Sequence, residues 1–303
     1  MIERFTQGKL VWMNLKNPTT EEVGSAMKEL GISPILMTDL TTVVPKNTAI
    51  RSDGTIKITL DFPTIKRLEP NKQFEVKFLI SKNSLLTVQY EEMEGIDRFK
   101  RQFEVTATLK RAQKHHTGGH LFFSLFGNLY ESAASKLDYI ESKLSDIEAE
   151  IFKNNEKHMV FEISMISKKL IAFRHVVHSH DDVFRDLAPL FEHVFGASLN
   201  QDLATIQRQY FVLKRRADAQ YETLVALRET NTAMLNTKQN EIMKLFTIMA
   251  FTTFPLTLFS SMFGMNTEAT PIVGHPADFW IIVSIMVTAM IGFFTFFKHK
   301  HWM

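Results

Sequence analysis

Four polar or small side chains recur on one face of a segment that is rich in apolar residues. They are Asn240, Ala250, Thr257 and Ser261, and Asn266 stands at the end of the same segment. Amide and hydroxyl oxygens can contact a cation or its water shell, and Gly264 leaves its own backbone carbonyl accessible. The same residue types also form hydrogen bonds between neighbouring helices in a membrane. The spacing alone leaves both interpretations open.

These residues belong to a stretch that predicts one very long helix, from about Leu199 to Asn266. No glycine occurs between Gly196 and Gly264, and Pro255 is the only proline in that interval. At 1.5 Å per residue such a helix is roughly 100 Å long, which exceeds the width of an ordinary soluble domain. Residues 245–265 carry no charge, and about twenty such residues match the hydrocarbon thickness of a bilayer. The helix is therefore predicted to begin in water and to end inside a membrane.

The first part of the long helix carries an apolar seam with alternating steps of four and three residues, which is typical of a helix that packs against another helix. Two of the seam positions are polar. The seam residues are Leu199, Leu203, Ile206, Tyr210, Leu213, Ala217, Gln220, Leu224, Leu227, Asn231 and Met234.

A second charge-free segment, Phe279 to Phe297, follows a loop at 266–278 that contains no Lys or Arg. Lysines precede the first span, and the tail at 298–303 is basic. The positive-inside rule therefore puts both termini in the cytoplasm. Two spans of one chain have no interior, so a water-filled path would need several copies of the chain. A hairpin buried in a soluble protein is the alternative.

The first third of the chain predicts a small α/β domain. A strand at Lys9–Leu15 leads into a helix that is capped by Thr19 and ends near Gly31. Further short strands are predicted at 41–44, 55–62, 73–80 and 85–89 because β-branched or alternating runs are split there by turn residues. The domain is predicted to end near Glu94.

Two helices are predicted between this domain and the long helix, at about His120–Lys153 and Glu156–Phe184. Aromatic residues crowd the start of the first one, and we interpret them as core. In the second, His175 and His178 share a helix face and could ligate a transition metal. Because no further ligand is fixed, a solvated polar face is the alternative and the preferred interpretation.

Composition sets limits on function. The formal net charge of the 303 residues is +2, which gives no electrostatic argument for a nucleic-acid partner, and there is no cysteine for a disulfide or a thiolate metal site. The sequence has no nucleotide-binding loop, no nucleophile motif and no recognisable pair of catalytic carboxylates. We expect a protein that is not an enzyme.

The end of the long helix closely resembles the first transmembrane helix of the CorA family of divalent-cation channels. The family's hallmark is Gly-Met-Asn at the outer end of that helix, here Gly264-Met265-Asn266, and Pro255-Leu256-Thr257 stand at the expected distance before it. Trp12 and the Asn17 to Glu22 segment match the opening of the family's N-terminal domain less specifically. The resemblance thus covers essentially the whole chain.

The resemblance implies a homopentameric channel in the inner (plasma) membrane that conducts Mg²⁺, and also Co²⁺ and Ni²⁺. Gly264, Met265 and Asn266 would form the selectivity filter, with the Asn266 amide on the water shell of Mg²⁺. The first span would line the pore. Met243, Phe246 and Phe254 fall on or near the same helix face, where a ring of such side chains would form a dry constriction; positions that face lipid carry the same residue types, so that alternative stays open. The predicted pore-lining residues are Asn240, Met243, Phe246, Ala250, Phe254, Thr257 and Ser261.

Two departures from the family pattern affect the pore mouth. Phe263 replaces the usual Tyr, and the external loop keeps only Glu268 and Asp278 as acids. In relatives, acidic residues that bind cytoplasmic metal hold the pore closed. The sequence does not identify the corresponding residues here, and the place to look for them in the long helix is near Asp202 and Thr205. One rival function is a ZntB-like Zn²⁺ transporter, against which Met265 argues because those relatives usually have Gly-Ile-Asn, while His275 in the loop keeps it open. The other rival is a non-conducting, membrane-anchored scaffold.

The predicted fold class is an α+β membrane protein with an N-terminal cytoplasmic α/β domain, a long helical stalk and two C-terminal transmembrane helices. The predicted divisions are 1–95 for the α/β domain, 96–244 for the helical domain and 245–303 for the transmembrane domain. The first span is placed at about 245–265 and the second at about 279–297. The expected partners are further copies of the chain, the lipid bilayer and divalent cations.

Overall fold

The structure, a computed structural model, describes residues 1–37, 40–41, 47–63, 74–108, 117–265, 272–274 and 276–300. The chain divides into two compact units, Met1–Arg228 and Glu229–Met303. The predicted three-part division at 95/96 and 244/245 is a different subdivision and stays a prediction.

The first unit contains a six-stranded sheet in the order β1-β2-β6-β5-β4-β3. The β2 and β6 strands pair in parallel, whereas every other neighbouring pair is antiparallel. The strands are β1 (Ile2–Gln7), β2 (Leu10–Lys16), β3 (Thr48–Ser52), β4 (Thr55–Asp61), β5 (Glu75–Ile80) and β6 (Ser84–Gln89).

The helices of the described chain are α1 (Thr20–Leu30), α2 (Glu94–Thr108), α3 (Gly118–Phe152), α4 (Glu156–Phe195), α5 (Asn200–Phe263) and α6 (Asp278–His299). The predicted helices coincide with α1, α3, α4, α5 and α6, although α4 extends to Phe195 rather than Phe184. The β1 and β3 strands and the α2 helix were not predicted. The strand predicted at 41–44 lies mostly outside the described residues.

The sheet is covered on both faces. On one face, Met13, Leu79 and Val88 pack with Val23 and Met27 of α1 in a buried cluster. On the other, the Phe78 ring lies edge-on to the Phe122 ring of α3, with centroids 5.2 Å apart. Because side chains alternate across a strand, this coverage explains why the central strands are apolar on both sides.

The first helix begins and ends as the sequence predicts. The Thr19 hydroxyl accepts from the Glu22 backbone N–H at 3.2 Å, and a Glu22 carboxylate oxygen accepts from the Thr19 N–H at 3.0 Å. This capping box satisfies two backbone donors that a helix start otherwise leaves free. At the other end Gly31 has φ 66°, the left-handed conformation that glycine adopts without strain.

The seam predicted on the long helix is confirmed. Every seam residue from Leu199 to Asn231 is buried, including the polar Gln220 and Asn231, while Met234 is half-buried. The Gln220 side-chain amide donates to the Leu137 carbonyl of α3 at 3.0 Å. The same nitrogen donates to a Glu141 carboxylate oxygen of α3 at 3.3 Å. A polar residue whose partners all lie on one neighbouring helix favours a single register between the two helices.

Aromatic rings fill the space between α3, α4 and α5. The rings of Phe126 and Tyr130 have centroids 5.0 Å apart, and those of Phe184 and Tyr210 are stacked at 4.5 Å. Such pairs add about 0.5–1.5 kcal/mol each to the free energy of burial. The prediction that the aromatic residues at the start of α3 are core is confirmed, since Phe122, Phe123, Phe126, Leu129 and Tyr130 are all buried.

A buried histidine ties α4 to the sheet and to α3. His180 is fully buried, its Nε2 lies 2.6 Å from the Asp61 carbonyl of β4, and its Nδ1 lies 2.7 Å from the Tyr130 hydroxyl. Nε2 therefore carries the proton and donates to the carbonyl, while Nδ1 accepts from the tyrosine. Burial lowers the pKa of His180 to about 4, so the imidazole is neutral at neutral pH.

The start of α3 lies directly on the turn between β5 and β6. A Cβ atom at Gly118 would stand 2.2 Å from the Ser81 carbonyl oxygen and 2.4 Å from that of Ser84. The Gly118 N–H donates to the Lys82 carbonyl at 2.8 Å. Only glycine allows this close approach of helix and turn.

Gly118→Ala should therefore destabilise the protein, by about 1–3 kcal/mol, because both contacted atoms belong to the backbone and cannot rotate away. Gly127→Ala is the matched control on the same helix, since its Cβ would meet side-chain atoms at an ordinary 3.6 Å. It should stabilise the helix by roughly 0.5–1 kcal/mol. Thermal unfolding of the two variants measures the difference, and shifts in the same direction would contradict this account.

His180 should make folding sensitive to acid. The unfolded histidine takes up its proton near its ordinary pKa of 6.5, whereas the folded one does so only at about 4. The stabilisation is complete above the unfolded pKa and is lost as the pH falls through this window. From about pH 7 to about pH 5 the loss should be roughly 2 kcal/mol.

His180→Gln is the control for that measurement, because a glutamine keeps a donor and an acceptor but does not titrate. The free energy of unfolding, determined at the two pH values for both proteins, should fall more steeply with acid in the wild type. Identical pH dependence would show that His180 does not carry the effect.

Candidate functional site

The second unit contains the two charge-free segments. The structure has two helical stretches long and apolar enough to cross a bilayer, one within Glu156–Phe263 and the other at Asp278–His299. Only 11% of the apolar window of the first, and none of the second, is buried within the chain. The core helix of a soluble protein would be mostly buried, so this exposure favours a membrane environment.

The residues predicted to line a pore share one face of α5. At 100° per residue they fall within an arc of about 120° centred near Met243. All are exposed except Ala250, which is half-buried. They are Asn240, Met243, Phe246, Ala250, Phe254, Thr257 and Ser261.

The buried residues of the same helical segment lie on the opposite side. Ile248 and Leu256 are buried, and each lies roughly 140° around the helix from Met243. Half-buried Thr252, Phe259 and Phe263 fall between them. The described part of the chain therefore covers the back of this segment and leaves the predicted face open.

Hydroxyl groups in this segment bond to their own helix. Thr257 Oγ1 donates to the Thr253 carbonyl at 2.9 Å, and Thr252 Oγ1 donates to the Ile248 carbonyl at 2.8 Å. Thr247 and Thr253 make the same bond to the residue four positions earlier. Because each hydroxyl proton is engaged, Thr257 presents only oxygen lone pairs to whatever lies in front of it.

The helix ends where the Gly-Met-Asn motif begins. The Gly264 N–H donates to the carbonyls of Ser260 and Ser261 at 3.0 and 3.2 Å, and both Gly264 and Met265 are exposed. These shared bonds are typical of a last helical turn. Asn266, the third residue of the motif, lies outside the described residues.

Of the two acids predicted in the external loop, Asp278 is among the described residues and Glu268 is not. Asp278 is the first residue of α6, and its carboxylate accepts from the Phe279 N–H at 2.6 Å and from the Gly274 N–H at 3.3 Å. A carboxylate at this position compensates the helix dipole. Glu268, like His275, lies outside the described residues.

His178, one of the two histidines considered as metal ligands, is paired with a carboxylate of α5. His178 Nε2 lies 3.0 Å from Asp218 Oδ1, which also accepts from Arg174 Nε at 2.8 Å. Burial raises the pKa of Asp218, but the hydrogen bonds from His178 and Arg174 outweigh it and hold that pKa below the usual value. No group of three or more His, Cys, Asp or Glu residues in the described chain could hold a metal. A metal at His175 and His178 thus has no third donor among these residues.

A neighbouring ion pair also joins α4 to α5. Asp181 accepts from the Tyr210 hydroxyl at 2.6 Å and pairs with Lys214. Partial burial works against the Asp181 charge, yet the bonds from Lys214 and Tyr210 keep its pKa below the usual value. Local sequence patterns could not predict these pairings, because the paired residues are 29 and 33 positions apart along the chain.

The place near Asp202 and Thr205 borders a cavity of about 410 Å³ between α2, α3 and α5. Asn128 Oδ1 and Gln209 Oε1 line it, are buried and have no hydrogen-bond partner among the residues that the structure describes. The Asp202 carboxylate lies 3.8 Å from His120 Nε2. Buried oxygens without donors are costly unless water or a cation meets them.

Comparisons with known proteins cover nearly the whole chain. Residues 7–299 match the family described as CorA-like Mg²⁺ transporter protein. The chain is 23% identical over 320 residues to the cobalt/magnesium transport protein CorA of Methanocaldococcus jannaschii, covering 98% of this chain and 93% of that protein. It is 22% identical over 301 residues to the protein of the same name from Thermotoga maritima, covering 96% and 83%.

The fold is shared as well. The complete structure of the CorA magnesium transporter from Methanocaldococcus jannaschii superposes with a TM-score of 0.83 at 19% identity, covering 99% of this chain and 93% of that one. This confirms the predicted fold class: an α+β membrane protein with an N-terminal α/β domain, a long helix and C-terminal apolar helices.

Proposed function

The chain belongs to the CorA-like Mg²⁺ transporter family, and we propose that it forms a homo-oligomeric membrane channel that conducts divalent cations, Mg²⁺ foremost and also Co²⁺ and Ni²⁺. The observation that carries this proposal is the open face of α5. The chain buries Ile248 and Leu256 at the back of the charge-free segment and leaves exposed the opposite side, which bears Thr257 and Ser261.

A pore lined by that face of α5 requires several copies of the chain. In hydrocarbon, the Ser261 hydroxyl would lack a partner from outside its own helix on an exposed helix face. If the first spans of several chains surround an axis, this side chain meets water instead of lipid, and so does Asn240 just before the span. The family resemblance favours five copies, with the second spans outside.

The pore so formed suits a hydrated cation. Mg²⁺ loses its waters reluctantly and is usually held through them. Thr257 offers oxygen lone pairs, because its proton bonds the Thr253 carbonyl. The Gly264 carbonyl and the Asn266 amide would add further neutral acceptors at the outer end, in the role of a selectivity filter.

Large apolar side chains would close this path. Met243, Phe246 and Phe254 lie on the open face and are each more than half exposed. Rings of such side chains around an axis exclude water and block a hydrated cation until the helices move apart. We therefore place the constriction at these residues.

The cavity near Asp202 supports a second role for the same ion. One carboxylate with two unpartnered amide oxygens, those of Asn128 and Gln209, resembles the donor set that holds Mg²⁺ together with its waters. A cation there would satisfy both buried oxygens. We propose that Mg²⁺ bound in this cavity regulates the channel. We also propose that both termini lie in the cytoplasm and that the activity of the protein is transport rather than catalysis.

The constriction is tested by replacing Met243 and Phe246 together with Ala. Hydrating the narrow part should raise the resting flux of Mg²⁺ several-fold, because a dewetted passage is a barrier to a charged ion. The matched control replaces Met290 and Phe294 of α6 with Ala, the same residue types at comparable exposure. Resting flux that is equal in both double variants would mean that a different face lines the pore.

The filter is tested at Asn266. Asn266→Ala removes neutral acceptors worth about 1 kcal/mol each, which over several subunits should abolish selective Mg²⁺ flux. Asn266→Asp keeps the shape and adds a ring of charge, so it should bind cations more tightly and conduct poorly. If Asn266→Ala assembles normally and carries Mg²⁺ at the wild-type rate and selectivity, the motif is not the filter.

A further inference from the structure

Three turns of the sheet meet at one edge and form an open groove. The β1–β2, β3–β4 and β5–β6 turns all leave the sheet there, because β2, β4 and β6 start at the same edge. The groove has a volume of about 970 Å³, near the upper end of the range for small-molecule sites. None of the functions considered so far uses it.

Each of the three turns contributes a cation to the groove. Lys9 comes from the first turn, Arg51 from the end of β3 before the second, and Lys82 from the third. All three side chains are exposed, and none has an ion-pair partner among the residues that the structure describes. His193 near the end of α4 adds an imidazole to the same lining.

The strand order fixes the spacing of these cations. Lys9 and Lys82 flank the adjacent strands β2 and β6, and Arg51 belongs to β3, three strands beyond β6. With about 4.8 Å between neighbouring strands, the backbones that carry Lys82 and Arg51 are roughly 10–15 Å apart. Long basic side chains can converge across this distance on one extended anion.

Hydrogen bonds hold the backbone of the β5–β6 turn in place. The Val11 N–H donates to the Asn83 carbonyl at 3.0 Å, and the Gly118 N–H donates to the Lys82 carbonyl at 2.8 Å. The hydroxyls of Ser81 and Ser84 bond each other at 2.5 Å. The β5–β6 turn is thus bonded to both β2 and α3, so little ordering of the backbone would be needed on binding.

Fewer acidic than basic side chains line the groove. Glu29 lines it, but its carboxylate already pairs with Arg4 at 3.1 Å. Asp53 is the other acid in the lining. The carbonyl end of α4 also disfavours an anion close to His193. A ligand should therefore lie on the Lys9, Lys82 and Arg51 side, away from that helix end.

We propose that this groove binds an oligophosphate, a chain of two or three phosphates either alone or as part of a nucleotide. Lysine binds phosphate as a point charge and arginine as a bidentate donor, so the three cations suit several linked phosphates better than one. Val11, Leu30 and Val194 in the lining offer an apolar surface for a nucleobase. The site is independent of the transport proposal, because binding can be measured without flux.

Isothermal titration of the full-length protein with tripolyphosphate, ATP and orthophosphate, in buffer free of divalent cations, tests the proposal. Tripolyphosphate and ATP should bind saturably with one site per chain, at least tenfold more tightly than orthophosphate. ATP binding more tightly than tripolyphosphate would support a nucleotide as the natural ligand, and equal binding would support the phosphate chain alone.

The variant with both Lys9→Gln and Lys82→Gln should weaken tripolyphosphate binding about tenfold or more. The matched control carries Lys157→Gln and Lys168→Gln, two exposed lysines of α4 with the same loss of charge, and should change binding less than about twofold. The absence of saturable binding to the wild type would overturn the proposal. So would an equal loss in both double variants, since that result means diffuse attraction to a basic surface.

Discussion

Hydrocarbon offers no hydrogen-bond partners, and this constraint determines what the end of α5 can be. Its backbone pairs within the helix except where Pro255 lacks an N–H, and its threonine hydroxyls are satisfied by carbonyls one turn earlier. Of the remaining polar side chains in the charge-free segment, Ser260 and Ser261 are exposed, and Ser261 lies on the face that the chain leaves open. Such residues need water or another copy of the chain. A water-filled path enclosed by several copies of the chain provides both water and neighbouring chains.

The same helix also organises the first unit, Met1–Arg228. Its buried seam packs with α3 and α4, and Gln220, Asp218 and Lys214 make specific polar contacts with these two helices. Polar contacts of this kind add little net stability but select one packing arrangement. A single continuous helix, Asn200–Phe263, thereby carries both the packed seam and the charge-free segment.

The sequence predicted the features that depend on local periodicity. The seam, the capping box at Thr19 and Glu22 and the extents of α3 and α5 all follow from residues near one another along the chain. The β1 and β3 strands were missed because they are edge strands with much exposed surface. The histidine at 180 was overlooked because its partners, Asp61 and Tyr130, are 119 and 50 residues away. The shared face of the pore-lining residues was predictable from helical spacing, whereas Asn266 and Glu268 lie outside the described residues.

Divalent-cation uptake into liposomes that contain the purified protein tests the central claim most directly. Mg²⁺, Co²⁺, Ni²⁺ and Zn²⁺ should be supplied in turn, each with and without a proton gradient. This account predicts saturable Mg²⁺ uptake, with Co²⁺ and Ni²⁺ also conducted, that follows the cation gradient and does not change with the proton gradient. Uptake no faster than in protein-free liposomes, or uptake of Zn²⁺ alone that depends on the proton gradient, would contradict it.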